Sequence, residues 1–287
     1  MALISTEQLR LFHKMDRKIF SLLVIQLARN PSQSLLVMAL WLWLESLGYP
    51  SLISKLVGIS LNTINDVANE AESCLMCLEL ENFPIPKNGG LLLTTTILDM
   101  AISLKFFKLR RFSIIYGVNY VLNQTCARIF DDILLHVLGK TYVSRLLPPY
   151  PYCRPMINIP GFPHPLFGKF PPIKFEEFNC DSFGRTMWTN NRLFDDVENE
   201  DKTMFLTFSK GFPVTGEEVR HFFTINYGVH CIKSIRMGKR NSNGQVLDAT
   251  MVVNNLETLD IILNGRRLAK FDFNRKHIWA RKYERRE

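Results

Sequence analysis

The sequence predicts an α+β protein in three parts. These are an all-α region over 1–146, a proline- and aromatic-rich linker over 147–199, and a C-terminal unit of strands and helices over 200–287. Three observations lead there. Apolar residues recur at helical spacing through the first half, nine of the fourteen prolines fall between 147 and 172, and the hydrophobic period switches to alternation at Thr203. A chain of 287 residues, 47% hydrophobic and 22% charged, has ample material for two cores, which excludes wholesale disorder, collagen and a simple coiled coil.

Ser5-x-x-Gln8 is a capping box, and Ile4 stands where it can staple against Leu9. Leu9, Phe12, Ile19, Leu22, Leu23 and Leu27 continue one amphipathic helix that stops at Asn30-Pro31. The same dipeptide starts the next helix, with Asn30 as cap and Pro31 in the first turn. That helix, 32–47, is apolar nearly all round and belongs in the middle of a bundle. Further helices are expected over 51–57, 61–80, 95–108 and 113–138, with 81–90 as the dividing loop. Lys105, Lys108, Arg110 and Arg111, interleaved with Phe106, Phe107 and Leu109, read as a solvated helix end or as a contact for nucleic acid or an acidic partner, the first favoured.

In 147–172 each proline removes an amide donor, so neither a helix nor a central strand can run there. Tyr150, Tyr152, Phe162, Phe167 and Phe170 make the segment adhesive, and packing against the protein itself is favoured over display as a polyproline ligand.

The six cysteines are scattered through a chain that needs no staples, so free thiols in a reducing compartment are expected. Cys74-x-x-Cys77 has no second pair at zinc-finger spacing and reads as two buried structural thiols. No secretory signal is evident, and the apolar run 35–44 falls short of the ~20 residues that span a bilayer. The expectation is a nuclear or cytoplasmic protein that is not secreted and engages no membrane.

From Thr203 the strand Met204-Phe205-Leu206-Thr207-Phe208 puts Met204, Leu206 and Phe208 on one face, and Phe205 and Thr207 on the other. Thr215 caps a helix, Ile232-x-x-Ile235-x-Met237 is a strand, and Lys239-Arg240-Asn241-Ser242-Asn243-Gly244 is a basic turn. A strand over 246–253, a helix over 255–263 stopped by Asn264-Gly265, and strands over 271–273 and 277–283 complete the unit. The order βαββαβ is the ferredoxin-like arrangement.

Residues 200–285 resemble the RNA recognition motif. Most of the chain resembles a plant group of proteins that join a helical N-terminal region to a divergent motif ending in Trp-Ala-Arg-Lys-Tyr, here 279–283. In that motif the second position of the first-strand hexamer is an aromatic that stacks a base, and Phe205 occupies it. The fifth position, usually Asn, is Phe208. Aligning Ala249 and Met251 with the core positions of the third-strand octamer leaves Asp248 and Thr250 where two further aromatics belong, and neither can stack. If Ile278 and Ala280 face the core, then His277, Trp279 and Arg281 face outward beside Phe205. Trp279 then either stacks a base or packs against a neighbouring segment.

Charge points the same way. Residues 200–287 hold 16 Lys and Arg against 10 Asp and Glu, most of the net +8, and 266–286 alone contains nine bases. That is the electrostatic footprint of a phosphate-backbone contact.

No phosphate loop, HExxH, GxSxG or calcium-loop pattern recommends an enzyme, and no cofactor is expected. The resemblance implies single-stranded RNA as partner, bound by Phe205, Thr207, Lys239, Arg240, His277, Trp279, Arg281, Lys282, Arg285 and Arg286. The rival is a protein-interaction module on the same fold, with a protein partner docking through 1–172. An open sheet favours the first reading and a sheet covered by the linker favours the second.

Overall fold

The computed structural model describes residues 5–146, 158–171, 199–240, 244–273 and 276–284, with side chains described outside 140–146. The chain divides into two compact units: Met1–Lys105 with Ile115–Asn190, and Phe106–Ile114 with Asn191–Glu287.

The first unit is helical. The Ser5–Gln8 capping box starts α1 (Thr6–Phe12), and α2 (Lys14–Ser21) runs on into a π turn, Leu22–Gln26. One continuous helix was the expectation. It breaks at His13, whose Nδ1 meets the Asp16 carboxylate at 2.6 Å. Asn30 caps α3 (Pro31–Ser46) by accepting from the Ser32 and Gln33 amides, and this helix is buried nearly all round from Ser34 to Leu44. Ser51 and Ser60 cap α4 (Leu52–Leu56) and α5 (Leu61–Glu79). Then come α6 (Leu92–Leu98), α7 (Leu104–Leu109), α8 (Arg111–Val121), a π turn at Leu122–Cys126, α9 (Ala127–Ile129) and α10 (Asp131–Leu146).

The expected helices over 95–108 and 113–138 are therefore each broken. The first of them begins three residues early because Glu70, on α5, accepts from the amides of Leu93 and Thr94 and from the Thr94 hydroxyl at 2.7–2.9 Å. A distant carboxylate supplies the cap that Leu91 cannot. Asp99, in the left-handed region at φ 56°, then ends it.

Cys74 and Cys77 are buried free thiols on α5, and burial pushes the Cys74 thiol well up, which leaves it a poor nucleophile. Among the described residues no group of His, Cys, Asp and Glu could hold a metal ion, and no helix is long and apolar enough to cross a membrane. Ile4, Cys153 and Cys180 lie outside the described residues. So does much of the linker, but its stretch 158–171 buries Ile159, Phe167 and Phe170, and His164 Nε2 lies 3.2 Å from Glu79.

Gly117, on α8, is where the helical core is tightest: a Cβ there would sit 1.9 Å from Nε1 of the buried Trp43. Gly117→Ala is expected to destabilise this unit by about 1–3 kcal/mol despite alanine's better helix propensity, which a urea titration would read.

The second unit holds a five-stranded sheet with β1 (Thr203–Phe208), β2 (Ile232–Met237), β3 (Asp248–Val253), β4 (Leu268–Phe273) and β5 (Lys276–Lys282). Two helices, α11 (Gly216–Tyr227) and α12 (Leu256–Leu263), follow β1 and β3. The sheet order is β2-β3-β1-β5-β4, antiparallel throughout, with β1 in the centre. A Thr215–Glu218 capping box starts α11, while Asn255 caps α12 and Asn264, at φ 48°, stops it. Met204, Leu206, Ala249, Met251, Ile278 and Ala280 are fully buried against Val219, Phe223, Leu259 and Leu263.

Phe112 belongs to this same core. That corrects the solvated-end reading in part: Phe107 and Arg111 are buried, whereas Lys105 and Arg110 are exposed, Arg110 pairing with Glu257 at 2.9 Å. The tie is Asp260, whose carboxylate accepts from the Phe112 amide at 2.8 Å, the Ser113 amide at 3.1 Å and the Ser113 hydroxyl at 2.6 Å. It thus caps the first turn of α8 from α12.

Candidate nucleic-acid interface

Strand alternation divides the sheet cleanly. Met204, Leu206 and Phe208 are buried and Phe205 and Thr207 are half-buried on the opposite face. Ile278 and Ala280 are fully buried, which turns His277, Trp279 and Arg281 outward. Ala249 and Met251 point inward as the alignment required, so Asp248 and Thr250 lie on the outer face.

Register then sets the neighbours. One row across the outer face runs Arg236, Thr250, Phe205, Arg281, Leu268. The next runs Asp248, Thr207, Trp279, Lys270, and Gly238 stands beside Asp248, its amide bonded to the Asp248 carbonyl at 2.8 Å. Phe205 and Trp279 occupy adjacent strands in consecutive rows.

Each platform carries a cation. The Arg281 guanidinium lies 5.1 Å from the Phe205 ring centroid and the Lys270 ammonium 5.5 Å from that of Trp279. Such contacts hold by about 0.5–1 kcal/mol at exposed sites, little enough for a base to displace. Trp279 keeps 38% of its surface exposed. His277 pairs across the β4–β5 hairpin with Asp272, which also draws Lys270 to 3.7 Å.

Not every expected residue joins this face. Lys239 and Arg240 are exposed in the turn after β2, beyond both rows, with Arg240 bridged to Val246. Lys282 alternates to the core side of β5, where Asp201 holds its ammonium at 3.1 Å and the Phe112 ring lies 5.9 Å away. Arg285 and Arg286 lie outside the described residues.

Counting bases along the tail also overstated its free charge. Lys276 donates to Glu218 at 2.7 Å and to the Pro213 carbonyl at 2.6 Å, a pairing that holds the Glu218 carboxyl below its usual range. Glu218 and Asp201 are distant in sequence, so a linear count could not find them.

Arg236 and Lys270 were missed. Arg236 was legible, because the pattern Ile232-x-x-Ile235-x-Met237 already assigns it to the outer face. Lys270 was counted in the basic tail but not placed, because β4 begins at Leu268, three residues before the strand expected from 271. Set against known protein families, curated proteins and solved structures, the chain matches none.

Proposed function

We propose that this chain is a non-catalytic RNA-binding protein that holds single-stranded RNA across the outer face of its C-terminal sheet. The observation that carries the reading is the placement of Phe205 and Trp279 as consecutive outward aromatics, Trp279 exposed, each beside a cation. Bases stack on the rings, and Arg281, Lys270 and Arg236 hold phosphates. Lys239, Arg240, Arg285 and Arg286 add charge at the periphery.

The strand order supports the resemblance to the RNA recognition motif. With β4 set aside as an edge strand added through the β4–β5 hairpin, the sheet runs β2-β3-β1-β5 with helices after β1 and β3, which supports a ferredoxin-like reading. The vacant octamer positions make the face weaker than a full motif, since each missing platform forgoes about 1–3 kcal/mol.

Fluorescence anisotropy of the full chain with mixed single-stranded RNA oligomers across a salt series tests the proposal. The full chain is the right form because Phe112 and Ser113 complete the sheet unit. Affinity is expected to fall linearly in log–log form with salt, at a slope of roughly −0.7 for each phosphate neutralised. No binding at low salt would refute the reading and turn the search to protein partners.

A further inference from the structure

We propose that the free edge of β4 is a dimer interface, where a second copy of this chain lays its own β4 antiparallel across a two-fold axis at Phe271. The two edges of the sheet are built differently. On β2 the register shifts between Ile232 and Ser234, an irregularity beside Lys233 that spoils this edge for further pairing. β4 stands at the opposite edge and pairs with β5 over six residues without a shift. A regular outer strand of this kind is a template for another.

The ladder fixes which backbone groups of β4 face outward. The Tyr283 amide donates to the Thr203 carbonyl at 2.8 Å, so on β5 the odd-numbered residues bond β1 and the even-numbered ones bond β4. By register, Lys276, Ile278 and Ala280 face Phe273, Phe271 and Ala269. The amides and carbonyls of Leu268, Lys270 and Asp272 therefore point away from the sheet, and among the described residues nothing bonds to them. The side chains of these three residues are exposed on the outer face.

Charge then selects the register and the partner. Antiparallel copies must set outward-facing residues opposite one another, so the axis through the charged stretch falls at Lys270, Phe271 or Asp272. The first choice opposes lysine to lysine and the last opposes aspartate to aspartate. Only the axis at Phe271 sets Lys270 opposite Asp272 of the second copy, and symmetry makes that pair twice. Opposed Cβ atoms lie about 4.5–5.5 Å apart, within ion-pair reach. A lone lysine would discourage pairing at an edge; an acid two residues on makes the strand complementary to itself. Within its own chain Asp272 meets Lys270 at 3.7 Å and His277, both through Oδ1, which leaves Oδ2 for the second copy. The Lys270 ammonium has three donors, enough for that carboxylate and a phosphate together. On the other face the half-buried Phe271 meets its own copy, and Phe273 lies against Ala269 of the second copy.

Sedimentation equilibrium of the full chain without RNA tests this, and its outcome is independent of the RNA reading. The native chain is expected to pass from monomer to dimer within about 1–100 μM, the range of a modest interface. Lys270→Asp and Asp272→Lys each oppose like charges twice, and each is expected to weaken dimerisation by about tenfold or more. Mixed one to one, the two variants oppose unlike charges again, and the dimer should return. Circular dichroism matching the native chain shows that each variant folds. A second probe leaves the charges in place: Phe271→Cys should form a covalent dimer under mild oxidation, because its thiols meet on the axis, whereas Phe273→Cys should not. A native chain still monomeric at about 100 μM would overturn the proposal. So would single variants that dimerise as the native chain does, a mixture that fails to associate, or equal crosslinking from 271 and 273.

Discussion

Alanine at Phe205 and at Trp279 is expected to weaken RNA binding by about 1–3 kcal/mol each, roughly 5- to 150-fold, and by more when combined. On the proposed reading each ring stacks one base, and no other outward aromatic lies in their two rows to replace it. The salt slope should stay near that of the native chain, because Arg236, Lys270 and Arg281 remain to hold phosphates. That pairing of results separates the sheet from a merely cationic surface: anisotropy would show lost affinity at an unchanged slope. The variants should fold as the native chain does, since neither ring belongs to the buried core of the sheet unit. If both single variants bind as the native chain does, RNA contact on this face reduces to charge.

The second large effect concerns stability. Asp260→Ala would leave the Phe112 amide, the Ser113 amide and the Ser113 hydroxyl without their acceptor in a buried place, at a cost of about 3–5 kcal/mol. The native residue carries a pH signature as well. Burial pushes the Asp260 carboxyl up from its ordinary 3.8 to about 6, and the hydrogen bonds from Ser113 and Phe112 only partly oppose it. Because the folded value is the higher one, the folded protein binds the proton more tightly than the unfolded chain. Stability from this group is therefore full below about pH 4 and is lost as pH rises through 6, by on the order of 3 kcal/mol. The direction is the reverse of an ion-paired carboxylate. Urea titrations at several values between pH 4 and 7.5 should show this falling component in the native chain. They should not show it in Asp260→Asn, whatever offset that variant carries. The same slope in both would mean that the component arises elsewhere.

Asp260 also marks where the sequence stopped being informative. The local signals were legible: the Ser5 and Thr215 capping boxes, Asn30 with Pro31, the Asn264 stop and the alternation of β1 and β5 all formed where their chemistry placed them. What the sequence did not reveal was capping from a distance. Glu70 starts α6 and Asp260 starts α8, each from another helix, so those helices begin where no local cap residue predicts. The same blindness misjudged the basic segment around Arg110 and Arg111. Arg111 is buried beside Phe112, which reaches the core of the sheet unit from more than ninety residues before the first strand.

The site was legible in proportion to its regularity. Phe205, Thr207, His277, Trp279 and Arg281 follow from a period of two and were placed on one face. Lys282 continues that count by one residue and so falls on the other side, bound to Asp201. Lys270 needed the start of β4, and strand starts carry little periodic signal. That Asp248 and Thr250 stand on the outer face of β3 was visible in the sequence. That the Asp248 carboxyl lies over Gly238, where any Cβ would collide with it, was visible only in three dimensions.

The central claim is that RNA lies on the outer face of β1 and β5. Photocrosslinking the full chain to a 4-thiouridine-containing single-stranded RNA, with the attached residues mapped by mass spectrometry, asks that question most directly. The account predicts crosslinks at Phe205 and Trp279. Crosslinks confined to the helical unit, or to the turn of Lys239 and Arg240 with none on β1 or β5, would contradict it.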